Sequence, residues 1–197
     1  MKGKRIAVLE ARLGRQLAEL VAQRGGVPFH APALAELPDL EPAKIAALVQ
    51  SLEQRPAKLA VFQTGVGTRV IVQRYGTVNA ELEAALASRG AEVVEIPTYR
   101  WSLPQDTGPL AELIGALERG EMDAAVFTNA EQVRNLFLVA QNIQKTEALR
   151  DGLNATLVAS IGPVASAALR DAQVKIGVEA RPPKLGALLS ALEAALA

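Results

Sequence analysis

Apolar positions along this chain fall into short unbroken runs that alternate with amphipathic stretches. Ile6-Ala7-Val8-Leu9, opened by Lys4 and Arg5, is too short for a helix and reads as a buried strand. Leu13, Leu17, Leu20 and Val21 then recur at helical spacing, and Gly25-Gly26 supplies the stop. Residues 27–32 read as a second extended segment, whose Pro28 and Pro32 imply an edge position or an exit from the domain. A polar connection over 36–42 follows, then a helix over 43–53. Lys58-Leu59-Ala60-Val61-Phe62 reads as a buried strand running into Gln63-Thr64-Gly65-Val66-Gly67.

The next stretch repeats the first. Arg69-Val70-Ile71-Val72-Gln73 answers Arg5-Ile6-Ala7-Val8-Leu9, and Asn79 to Leu86 answers the first helix. Ser88-Arg89-Gly90-Ala91 answers Gln23-Arg24-Gly25-Gly26, and Ile96-Pro97-Thr98-Tyr99 answers Phe29-His30-Ala31-Pro32. Ala124 to Thr128 stands where Leu59 to Gln63 stood. A repeat of this length indicates two similar α/β units; a solenoid needs at least three short copies. Copy two continues with a helix over 131–140, a strand over 156–161, the turn Gly162-Pro163, a helix over 164–171, a strand over 174–178 and a last helix over 184–197. Copy one has no counterpart between Gly67 and Val70. Parallel neighbours need a crossover of roughly a dozen residues, so Phe62 and Val70 either form a hairpin or belong to different sheet positions.

Composition narrows the chemistry more than it identifies it. The chain has 197 residues, half of them hydrophobic but only 4% aromatic, so its core is built from Leu, Val, Ile and Ala. Lys+Arg and Asp+Glu both count 21, leaving no net field for nucleic acid or an anionic membrane. The absence of cysteine excludes disulfides, thiolate nucleophiles and Cys-based zinc sites, and the single His30 excludes a histidine-rich metal site. No apolar run approaches the roughly 20 residues of a membrane span. The opening residues lack the apolar core of an export signal, so a cytoplasmic location is expected.

Candidate contacts cluster where strands give way to helices. Gly162-Pro163 ends a strand and opens a helix, a place where backbone N–H groups and the helix dipole favour anions; it is equally an ordinary strand-to-helix turn. Thr128-Asn129 reads as an N-cap, a role that also permits facing a ligand. Thr64-Gly65 holds the matching place in copy one, without the lysine of a phosphate loop. Tyr99 is a hydrogen-bond donor or weak general acid at the end of a strand, or a packing aromatic. Trp101 and His30 read as structural, and Arg12 as an exposed arginine within reach of a carboxylate. No triad or paired-carboxylate spacing stands out.

The order of these pieces resembles the uroporphyrinogen-III synthase family. Val126-Phe127-Thr128-Asn129-Ala130 with Val133-Arg134-Asn135-Leu136 is similar to its strand-helix motif, and Ala159-Ser160-Ile161-Gly162-Pro163 with Ser166-Ala167-Ala168-Leu169 to its isoleucine-glycine-proline turn. Val94 to Arg100 resembles the end of its other lobe; Glu10-Ala11-Arg12-Leu13-Gly14 and Phe62 to Thr68 resemble the bacterial branch. The resemblance implies an α/β fold of two lobes, each a parallel sheet flanked by helices, joined by a two-stranded linker. One lobe takes residues 1–34 plus 107–197 and the other 38–104. The second is truncated, lacking a helix-strand-helix block after Thr68. The resemblance further implies a monomer without cofactor or metal that cyclises the linear tetrapyrrole hydroxymethylbilane. Tyr99 would be the catalytic donor, and Arg12, Thr64, Gly65, Thr128, Asn129, Ala130, Gly162, Pro163 and Ser166 the substrate contacts. Two other readings stay open: a binding module of the same fold without catalysis, and a periplasmic-type binding protein, which the missing export signal counts against.

Overall fold

The structure is a computed structural model that describes residues 1–38, 42–54, 69–75 and 80–197. Along the chain run β1 (Arg5–Val8), α1 (Gly14–Gln23), β2 (Val27–His30), β3 (Ala35–Pro38) and α2 (Pro42–Gln54). After them come β4 (Arg69–Tyr75), α3 (Ala80–Ala87), β5 (Glu92–Ser102), α4 (Gly108–Glu118), β6 (Ala124–Phe127) and α5 (Ala130–Asn142). The chain continues with α6 (Thr146–Ala155), β7 (Leu157–Ser160), α7 (Pro163–Asp171), β8 (Val178–Glu179) and α8 (Leu185–Ala195). Two compact units result, Met1–Ala35 with Leu103–Ala197, and Glu36–Ser102.

The first unit holds a five-stranded sheet in the order β2-β1-β6-β7-β8, and its ladders are parallel throughout. A parallel sheet must be covered on both faces, and the alternation along β1 shows how. Ile6 and Val8 join Val126 and Ala159 in a cluster with Leu17 and Val21 of α1 and Leu188, Leu189 and Leu192 of α8. Ala7 and Leu9 point the other way. They meet Phe127 and Val158 beneath Leu113 and Leu117 of α4, Val133 and Leu136 of α5, Leu149 and Leu153 of α6 and Leu169 of α7. Every residue of β6 is buried, as befits the central strand. Pro28 sits on the edge strand β2, where a missing N–H costs no ladder bond.

In the second unit β4 and β5 are parallel neighbours, and the sheet order is β3-β5-β4. Gly90 closes α3 in the left-handed region at φ 73°, a conformation glycine adopts without the steric cost a Cβ brings.

Four sequence expectations need correction. The connection over 36–42 is partly the strand β3. No element is predicted over 103–123 or 143–155, yet α4 and α6 occupy those stretches. Leu110, Leu113, Ile114 and Leu117 give α4 a buried face that the sequence already displays. The strand predicted over 174–178 pairs only at Val178 and Glu179. Val174 instead turns into the core, and Gly177 lies against Leu157, where a Cβ would come within 2.4 Å of Cδ1. The strand predicted over 58–62 lies outside the described residues.

Candidate functional site

Because all five strands of the first unit run the same way, their carboxyl ends share one edge. From β1 the chain moves outward to β2, while β6, β7 and β8 extend from the other side of β1. The connections therefore diverge between β1 and β6. In open α/β sheets that divergence point is where a crevice forms outside the strand ends. Glu10 follows β1 there, and Thr128 and Asn129 follow β6.

The two strand ends are tied together by side chains. Gln132, fully buried, accepts from the backbone N–H of Thr128 at 2.8 Å and of Asn129 at 3.2 Å through Oε1. Its Nε2 donates to Glu10 Oε2 at 3.0 Å and to Thr128 Oγ1 at 2.9 Å. Thr128 donates its own hydroxyl proton to the same Glu10 oxygen. Glu10 Oε1, on the exposed side, takes the Leu13 N–H at 3.3 Å. His30 Nε2 lies 3.0 Å from the Glu10 carbonyl oxygen and so donates to it. The imidazole lies so close over Gly14 that a Cβ there would fall 2.3 Å from Nε2. His30 thus pins the loop between β1 and α1.

Asn129 is the N-cap of α5. Its side chain accepts from Glu131 N at 2.8 Å, and with Gln132 it completes a capping box. The first-turn donors of α5 are therefore largely engaged within the chain. Ala130, the first helical residue, is buried.

At the end of β7 the arrangement is more open. Gly162 is the N-cap of α7 and supplies no side-chain cap, with Pro163 next. Among the described residues, no acceptor meets the N–H of Val164 or Ala165, and Val164 is 74% exposed. Gly162 has extended backbone, and its distinctive feature is closeness, since a Cβ would lie 3.1 Å from Pro183 Cβ. Behind the turn, buried Ser166 donates to Glu179 Oε2 at 2.5 Å and lies 2.9 Å from buried Ser160 Oγ. Ser160 in turn donates to the Gly162 carbonyl at 3.0 Å.

The sequence-predicted contacts thus separate. Thr128, Asn129, Ala130, Gly162 and Pro163 gather at the carboxyl edge of one sheet, and Arg12 is exposed on the loop after β1. Ser166 stands behind the edge, buried and engaged with Glu179, a supporting position and not a lining one. Tyr99 lies on β5 of the other unit, its backbone in register with Tyr75. Thr64 and Gly65 lie outside the described residues. Sequence reasoning passes over Glu10, Gln132, Ser160 and Glu179 as site residues. For Gln132 a signal exists, because Asn129-Ala130-Glu131-Gln132 has the capping-box spacing.

At the opposite, amino edge, charged partners perturb the carboxyls of Asp123 and Glu121. Lys4 Nζ at 2.9 Å and the Arg5 N–H at 2.8 Å hold the Asp123 carboxyl below its usual range, fastening β1 to β6. Arg119 lowers Glu121 in the same way and is itself raised by that pairing.

Fold and edge together define a doubly wound α/β unit with one polar network at the β1–β6 divergence point of its sheet and another behind the turn after β7. A family model described as "Uroporphyrinogen-III synthase HemD" matches residues 67–190. The chain belongs to the uroporphyrinogen-III synthase family. A Synechococcus elongatus protein named uroporphyrinogen-III synthase is 31% identical over 186 residues, covering 93% of this chain and 62% of that one. The crystal structure of wild-type uroporphyrinogen III synthase from Thermus thermophilus matches with a TM-score of 0.66 and 25% identity over 98% of both chains. The Helicobacter pylori uroporphyrinogen-III synthetase structure, at 14% identity and a TM-score of 0.55, shares the fold. The chain spans less than two thirds of the curated relatives it matches: 62% of the Synechococcus protein and 38% of a Methanothermobacter thermautotrophicus relative that is 41% identical over 98 residues. Among the described residues no helix is long and apolar enough to cross a membrane.

Proposed function

We propose that this chain is a uroporphyrinogen-III synthase, converting hydroxymethylbilane to uroporphyrinogen III with loss of water and inversion of the terminal ring. The observation that carries this reading is that the family match runs through β6, β7 and the turns that follow them, which lie at the carboxyl edge of one parallel sheet. In the reaction, water leaves the terminal hydroxymethyl group to give an electrophilic azafulvene. The far pyrrole attacks through its substituted carbon, and the spiro intermediate fragments and recloses with that ring inverted. The pyrroles supply the electrons. The protein's tasks are to assist departure of the hydroxyl and to hold the chain in the curl that favours the spiro route, which are positioning and electrostatic tasks.

In this reading the chain works as a cytoplasmic monomer of two lobes, 1–34 plus 107–197 and 38–104, the latter lacking a helix-strand-helix block after Thr68. Tyr99 donates to the leaving hydroxyl. The open first turn of α7 at Gly162-Pro163, with Arg12, Asn129 and Ala130, receives substrate carboxylates, and Thr64 and Gly65 are further substrate contacts implied by the family resemblance. Thr128 and Ser166 act from behind the wall through Glu10 and Glu179. The second reading is a tetrapyrrole- or anion-binding module of the same fold without catalysis, which loss of a helix-strand-helix block after Thr68 would favour.

Incubation with freshly generated hydroxymethylbilane tests the choice. Type III product above the spontaneous type I isomer is the expected result; binding without a change of isomer favours the module. Tyr99→Phe is expected to slow type III formation by about ten-fold or more, and an unchanged rate removes Tyr99 from the mechanism.

A further inference from the structure

The proposed function expects donors along the ligand edge to meet carboxylates, yet the hydrogen-bond directions at the β1–β6 divergence point run the opposite way. Gln132 has no donor or acceptor capacity left over: Oε1 takes two backbone N–H groups, and Nε2 serves Glu10 and Thr128. Thr128 has one hydroxyl proton and gives it to Glu10. The Gln132 amide and the Thr128 hydroxyl are thus spent within the chain, and each gives a hydrogen to the Glu10 carboxylate.

That carboxylate is asymmetric. Oε2 faces the buried amide and takes two donors, while Oε1 lies on the exposed side with a single long contact from Leu13 N at 3.3 Å. A carboxylate accepts about four hydrogen bonds, so capacity remains on the outward oxygen. Holding a carboxylate half-buried costs desolvation, which the inward bonds offset. A structural link between β1 and β6 would need only Oε2. What the group adds at the surface of the edge is an acceptor and a negative charge.

From this we infer that Glu10 is a ligand-binding acceptor, receiving the pyrrole N–H groups of the substrate while substrate carboxylates lie toward the open first turn of α7. The inference rests on the tetrapyrrole reading above and deepens it. A tetrapyrrole carries both kinds of group, N–H donors inside and carboxylates on its rim. An edge that presents an acceptor after β1 and free backbone donors after β7 matches that polarity. A ligand bearing carboxylates alone finds no partner at Glu10 and is repelled by it.

The test compares two probes on the wild-type protein and on Glu10→Gln: uroporphyrinogen III under anaerobic conditions, and benzenehexacarboxylate, which has carboxylates but no N–H. Titration calorimetry gives both dissociation constants, and circular dichroism checks the fold. Replacing the charged acceptor is expected to weaken uroporphyrinogen binding about ten-fold. Benzenehexacarboxylate binding should stay within about two-fold or tighten. Equal changes for both probes, or none for either, would overturn the assignment. If Glu10→Gln does not fold, Glu10→Asp, which withdraws the carboxylate by one methylene, is judged by the same ratio. A wild-type protein that binds uroporphyrinogen but forms no type III isomer sinks the synthase reading, while the probe ratio still decides Glu10. A wild-type protein that binds neither probe sinks both.

Discussion

The two units share a strand-helix-strand pattern, but their described residues are buried to different depths. In the first, α1 and α8 cover one face of the sheet and α4 to α7 the other, and side chains such as Ile6, Phe127, Leu113 and Leu153 are wholly buried. In the second, none of the described side chains reaches that state. Val70, Val72, Val93 and Val94 are half-buried, and Ile45 and Val49 of α2 are exposed. Hydrophobic stabilisation scales with apolar area removed from water, so the burial of the described residues predicts a more stable first unit. A βαβ pattern specifies which strands pair; how firmly they are held depends on how many helices close over them.

The widest separation between the units should appear on unfolding. Trp101, the only tryptophan, lies in the second unit, so its fluorescence reports that unit, whereas far-ultraviolet circular dichroism is dominated by the first. Phe127→Ala, which empties a fully buried site, is expected to destabilise the first unit by about 3–5 kcal/mol. Urea unfolding should show the fluorescence transition first, and the variant should shift the dichroism transition alone. Coincident transitions moving together would mean one cooperative body and break the comparison.

A finer probe lies where α4 and α6 touch. A Cβ at Gly152 would stand 2.8 Å from the Leu117 carbonyl carbon and oxygen, backbone atoms that cannot swing aside. Gly152→Ala should therefore destabilise the first unit by about 1–3 kcal/mol, against the usual gain for glycine to alanine within a helix. Gly186 on α8, with nothing near its missing Cβ, supplies the control, with a gain of up to about 1 kcal/mol expected. Should both variants behave alike, close packing of α4 on α6 is not what sets the unit's stability.

The sequence displays the strands of the first sheet well because buried parallel strands are apolar runs, and β1, β6 and β7 announce themselves that way. It displays α6 poorly, since that helix buries only Leu149, Gly152 and Leu153, too few positions to mark a period. The turns at Thr128 and Gly162 are legible from strand-turn-helix grammar. Glu10 with Gln132 is not, for the partners are 122 residues apart. Their meeting depends on β6 lying beside β1, and that adjacency is a property of topology that no local pattern encodes. Ser166 shows the converse: its motif position is visible, but its direction, inward to Glu179, depends on β8.

The smallest expected effect concerns the amino edge of the first unit and its response to acid. Lys4, then the Arg5 N–H, lowers the Asp123 carboxyl below its unfolded value. A group depressed by folding binds protons more readily when unfolded, so it stabilises the native state above its unfolded pKa, near 4 for aspartate. That contribution fades as pH falls through the lower folded value. Because the Asp123 side chain is about one-third exposed, the gain is screened and should stay near or below 1 kcal/mol. Asp123→Asn keeps the shape and removes the titration. Wild type should then exceed the variant in stability at neutral pH, and the two should converge as the pH drops below about 4. The effect should appear in the dichroism transition and be absent from Trp101 fluorescence, because Lys4, Arg5 and Asp123 all belong to the first unit. A gap that persists unchanged into acid would show that Asp123 holds β1 to β6 through shape and neutral hydrogen bonding, with its charge irrelevant.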